Sequence, residues 1–116
     1  MISGPDLPKE LNKHTIESLG GSKIIVIAGE YNSEAISSTF IYDFNTAQWN
    51  PGPEMVNARK NHESAVIIDT VTYEKFIVVA GGYGNGYLTS VELLSWDYLE
   101  NWQKGKKSFH FMSDLF

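Results

Sequence analysis

The chain has 116 residues, 42% hydrophobic and 20% charged, the balance of one globular domain rather than a disordered tail. Cys is absent, which excludes disulfide scaffolds, thiolate metal sites and thiol nucleophiles, and a formal charge of −5 has the wrong sign for gripping a phosphate backbone. No apolar run approaches the ~20 residues of a membrane span, and residues 1–6 show neither half of a secretory leader, so an intracellular, cytoplasmic protein is expected.

Taken in chain order, the sequence repeats itself. Residues 4–14 (GPDLPKELNKH) match residues 52–62 (GPEMVNARKNH) at an offset of 48. Residues 24–29 (IIVIAG) match residues 76–81 (FIVVAG) at an offset of 52, and Trp49 matches Trp102 at an offset of 53. Three segments recurring in the same order mark an internal duplication, with insertions expected before the second apolar run and before the second Trp. Each unit reads as β. The apolar runs are short, rich in β-branched residues and closed by Gly, as strands buried on both faces are. Phe40, Tyr42 and Phe44 alternate with Ile41 and Asp43, the period of a half-buried strand. Four strands per unit are expected, near 14–19, 23–29, 38–44 and 47–51, then near 62–68, 74–81, 89–95 and 100–104. Short polar connections imply an antiparallel meander.

These residues resemble the kelch repeat. Gly81-Gly82 supplies that family's di-glycine, whereas the first unit reads Gly29-Glu30, as if its second Gly were lost. Tyr42 and Trp49 fit the family's aromatic pair; the second unit has Leu94 and Trp102, and Arg59 before His62 fits the family's Arg. The resemblance implies an all-β fold of two four-stranded antiparallel blades from an incomplete β-propeller. It divides the chain into a connector at 1–13, repeats at 14–61 and 62–104, and a divergent tail at 105–116. Gly29, Tyr42, Trp49, His62, Gly81, Gly82 and Trp102 are then the structural signature. Each Trp is expected to pack against a neighbouring blade, or else to fill its own sheet. Two blades are fewer than the ~4–8 that close a propeller, so further blades or self-association through open blade faces is expected.

Little points to catalysis. His14 and His62 are repeat-encoded and one blade apart, not a metal set, and the Gly-rich run 81–86 precedes a β-like segment rather than the helix a phosphate loop requires. Glu92, Asp97 and Glu100 read as a solvated outer strand. No catalytic residue, metal or cofactor is expected. What remains is a surface. The topology gathers the loops at 30–37 and 82–88 with those at 5–13 and 52–61 on one face, where binding residues of rigid scaffolds usually reside. The candidates there are Tyr31, Asn32, Glu34, Arg59, Lys60, Tyr83, Asn85 and Tyr87, aimed at a protein partner and not at nucleic acid or membrane. Kelch proteins often serve as substrate receptors of ubiquitin ligases or as cytoskeletal binders, so the resemblance implies an interaction role of that kind. A truncated, non-catalytic product that binds other blades is the alternative, and a propeller enzyme is the less favoured one.

Overall fold

A computed structural model of the chain describes residues 4–97, 99 and 101–104. Among the described residues ten strands run in the order β1 (Thr15–Gly20), β2 (Lys23–Tyr31), β3 (Glu34–Asp43), β4 (Gln48–Pro51), β5 (Glu63–Ile68), β6 (Lys75–Ala80), β7 (Tyr83–Gly84), β8 (Gly86–Tyr87), β9 (Val91–Ser95) and β10 (Gln103–Lys104). They form two antiparallel four-stranded sheets, β1-β2-β3-β4 and β5-β6-β9-β10, and a small hairpin β7-β8. No helix occurs among the described residues, and none therefore crosses a membrane. The fold is all-β, two blades of an incomplete propeller. The tail from 105 onward and Glu100 lie outside the described residues.

Tight turns set the registers of the first blade. Gly21 and Ser22 have φ of 52° and 73°, and Asn32 and Ser33 have φ of 51° and 67°. Two left-handed residues in a row are what a two-residue hairpin matched to strand twist requires. The second of these turns corrects the expected loop at 30–37: β2 and β3 run on as a ladder until only two residues are left to connect them. In the second blade the corresponding stretch, 82–88, folds into β7-β8, turning at Asn85, so the Gly-rich run leads into strand and not helix.

The structure also realigns the repeat. Asn12 and Glu30 exchange backbone hydrogen bonds, and Lys60 and Tyr83 do the same. A Cβ on Gly29 would lie 2.7 Å from the Asn12 carbonyl oxygen, and one on Gly82 would lie 2.6 Å from that of Lys60. Gly29 is therefore the counterpart of Gly82, and the two β-strands correspond at an offset of 53, not 52. The first blade keeps the second Gly of the pair. Ala28 stands in for Gly81 and adopts its left-handed backbone, with φ of 52° against 69°. The five extra residues ahead of β6 all sit in the β5–β6 connection. There Asp69 folds the loop by accepting hydrogen bonds from the Val71 and Thr72 amides through Oδ1, at 2.8 and 3.2 Å.

One core spans both sheets. Ile25, Ile27 and Ala28 of the first blade cluster with Met55, Ile77, Val79, Leu94 and Trp102. Each such aliphatic side chain contributes roughly 1.5–3 kcal/mol by leaving water. Met55 and Trp102 join sheets that would have little core singly. Trp102 is buried, and its Nε1 donates to the Pro53 carbonyl at 3.0 Å. Trp49 makes a similar bond one residue along its connector, to the Asp6 carbonyl at 2.9 Å, and lies tilted against Tyr42, ring centres 5.0 Å apart, yet stays half-exposed. Each indole thus pins the connector entering its own blade, and Trp102 does so inside the blade–blade core.

Candidate functional site

The connector at 52–61 positions the candidate face, because it is clamped between the blades. Thr39 Oγ1 donates to the Pro53 carbonyl at 2.8 Å, Ser37 and Ser38 donate to the Glu54 carboxylate at 2.5 and 3.1 Å, and the Met55 amide donates to the Ser37 carbonyl at 2.9 Å. Farther on, the Gly29 amide donates to Arg59 and the Asn61 amide to Lys13, at 2.8 and 3.0 Å. His62 closes the seam. Its Nε2–H donates to the Ile27 carbonyl at 3.0 Å and lies 3.1 Å from Thr15 Oγ1. A carbonyl only accepts, so the proton sits on Nε2, and Nδ1 is buried without a partner among the described residues. Burial pushes the His62 pKa below the usual imidazole value, against the opposing pull of the Ile27 carbonyl.

Arg59 is not a surface residue. Its side chain is wholly buried and forms an ion pair with Glu92, also wholly buried, at 3.0 Å. Nη1 donates to the Gly81 and Ser90 carbonyls at 2.8 and 2.9 Å, and Nη2 donates to Ser90 Oγ at 2.6 Å. Glu92 in turn accepts from the Val56 and Asn57 amides at 2.7 and 3.0 Å. Both expectations for this pair, Arg59 on the binding face and Glu92 on a solvated strand, are overturned. A guanidinium can cross a core when its donors are spent on carbonyls and a carboxylate, as here. The signal was in the duplication: the counterparts of Arg59 and Glu92 are Leu11 and Phe40, apolar residues that are both half-buried.

The other candidates do reach the surface. Tyr31, Asn32 and Glu34 sit at the tip of the β2–β3 hairpin, and Lys9 Nζ lies 5.0 Å from the Tyr31 ring centre. Lys60, half-buried, pairs with Glu30, which also meets Lys13 at 3.4 Å. The hydrogen bond from Lys60 is the main cause that holds the Glu30 carboxyl below its ordinary range. Tyr83 and Tyr87 meet edge to face at 5.2 Å across β7-β8, with Tyr87 92% exposed, and Lys60 Nζ lies 5.7 Å from the Tyr83 ring centre. Between the two hairpins runs a groove of about 410 Å³ lined by Ser33, Glu34, Ala35, Ala58, Lys60, Tyr83, Gly84 and Asn85. The topology therefore does bring the β2–β3 and β7–β8 segments together with the 52–61 connector. Its backbone is fixed by paired bridges, Ile36 to Arg59 and Lys60 to Tyr83. Among the described residues no three His, Asp or Glu side chains come together as a metal site would require.

Each blade is a four-stranded antiparallel sheet with a left-handed Gly near or just past the end of its second strand and a connector-pinning Trp at or just before its last, the arrangement of a propeller repeat. Residues 19–56, from the end of β1 through the following connector, match the family model described as the Kelch motif. Those residues are thus similar to a kelch repeat, and the second blade repeats their strand order. No curated protein matches the chain.

Proposed function

We propose that the chain is a protein-interaction module and that it binds through the loop face. The observation that carries this is the Tyr83–Tyr87 pair, an exposed aromatic edge held on a backbone bridged to the clamped connector. Tyrosines give large contact area at low entropic cost, and a rigid support lowers the ordering penalty of binding. Glu34, Lys60 and Asn85 rim the groove beside them with both signs of charge and an amide, the composition of a polar interface edge. Kelch repeats in general serve protein–protein contacts, and this face offers the means to do so. Affinity capture with the full chain as bait tests it: Tyr83→Ala/Tyr87→Ala abolishes recovery of the partners that the unaltered chain retains. Recovery equal to the unaltered chain would remove the loop face from consideration.

A further inference from the structure

The seam between the blades is written twice in this chain, once made and once open. The first blade's residues at the seam (Ser37, Ser38, Thr39, Ile27) have counterparts in the second blade, and the residues that meet them (Glu54, Met55, His62) have counterparts in the first blade and its connector. Glu54, which accepts from Ser37 and Ser38, corresponds to Asp6, and those two serines correspond to Thr89 and Ser90. Met55 corresponds to Leu7, and Thr39 to Val91. His62, bonded to the Ile27 carbonyl, corresponds to His14, and Ile27 to Ala80.

Exposure separates the made copy from the open one. Thr39 is 2% exposed but Val91 is 37%; Met55 and His62 are buried, whereas Leu7 and His14 are half-exposed. Donor still faces acceptor at the exposed Thr89, whose hydroxyl suits the Asp6 carboxylate as the serines suit Glu54; Ser90 Oγ already accepts from Arg59, and Val91 replaces the Thr39 hydroxyl with apolar contact. No like charges are brought together among these pairs.

We propose that a second copy of this chain docks here, the outer side of its first blade on the outer side of this chain's second blade. It repeats the made seam between molecules. The contact is heterologous, so it propagates: each docked copy leaves the same two surfaces open. Three copies would bring six blades, within the ~4–8 that close a propeller. This surface is distinct from the loop face and stands or falls without it.

Sedimentation of the full chain over roughly 1–200 μM, the span that reveals micromolar affinities, tests the proposal. The unaltered chain is expected to associate reversibly beyond a dimer. Leu7→Lys alone and Val91→Lys alone each stay at single-chain mass, because in either variant every possible contact includes one altered surface. Mixed one to one, they form a dimer and nothing larger, since one intact pair of surfaces remains. Far-UV circular dichroism checks that each variant is folded, and Asp6→Lys with Thr89→Lys repeats the mixing at exposed positions should either fail. A chain that stays monomeric, stops at a dimer, or associates unchanged in a single variant overturns the proposal. So does a mixture no heavier than its parts.

Discussion

The two blades share a frame and differ in how each holds its incoming connector. In the second, a buried ion pair does the work: Arg59 spans to Glu92, and the carboxylate also takes the amides of Val56 and Asn57. In the first, the same places are Leu11 and Phe40, and Val56 is replaced by Pro8, which has no N–H to satisfy. The substitutions are mutually consistent. Where an amide needs an acceptor there is a carboxylate, and where there is a carboxylate there is a guanidinium. In the first blade one of the two amides is gone with Pro8 while Lys9, the counterpart of Asn57, keeps its own, and apolar residues stand where the ion pair would be. The difference teaches that the fold specifies a filled, satisfied space beneath the connector and leaves the chemistry of filling it free.

Converting one blade toward the other is the strongest way to break this comparison. Arg59→Leu alone strands a buried carboxylate and is expected to cost about 3–5 kcal/mol in urea unfolding. The triple change Val56→Pro, Arg59→Leu, Glu92→Phe copies the first blade and is expected to recover more than half of that loss. Additive losses would show that the two solutions are not interchangeable.

The realigned glycines give the next largest effect. Gly82→Ala forces a Cβ to within 2.6 Å of the Lys60 carbonyl oxygen at φ 90°, and about 2–4 kcal/mol of stability is expected to go. Gly81→Ala copies Ala28, its nearest new neighbour being 3.6 Å away, and should cost about 1–2 kcal/mol for the left-handed backbone. The reverse order in thermal melts would restore the alignment of Gly29 with Gly81.

The indoles sharpen the comparison further. Trp102→Phe loses a hydrogen bond inside the shared core and is expected to cost about 1–2 kcal/mol, against about 0.5–1 for the half-exposed Trp49→Phe. Equal losses would mean that Trp102 gains nothing from the seam. The smallest effect is on pH. Folding favours the neutral His62 ring, so as pH falls through 6.5 the unfolded chain takes up its proton first. The stabilisation, complete above that value, drains away as pH falls further through the depressed native pKa. His62→Gln should flatten the slope of stability below 6.5, and an unchanged slope would assign it to other groups.

Much of the frame was legible in the residues. Duplication, four sheet strands per blade, the paired Trp and the recurring glycines follow from period and side-chain size alone, whereas the extra hairpin β7-β8 in the expected loop at 82–88 did not. The glycine alignment did not, because the run Ile-Ala-Gly matches Val-Ala-Gly by letter, while the left-handed backbone of Ala28 is invisible to composition. Arg59 and Glu92 were misjudged for a related reason. Read singly, a charge suggests water; read against Leu11 and Phe40 in the duplicate, it marks a buried position. Of the loop-face candidates, Tyr83 and Tyr87 lie where strand alternation put them, but the β2–β3 hairpin needed its turn dihedrals to be seen.

Amide hydrogen exchange followed by NMR is the most direct probe of the interlocked pair of blades. The Gly29 and Met55 amides and the Trp102 indole each donate across the connector seam, at 2.8, 2.9 and 3.0 Å. Protection at these three sites comparable to that of the β2 and β6 amides is the predicted result. Fast exchange at all three, beside slowly exchanging strands, would mean that the sheets fold without closing on one another.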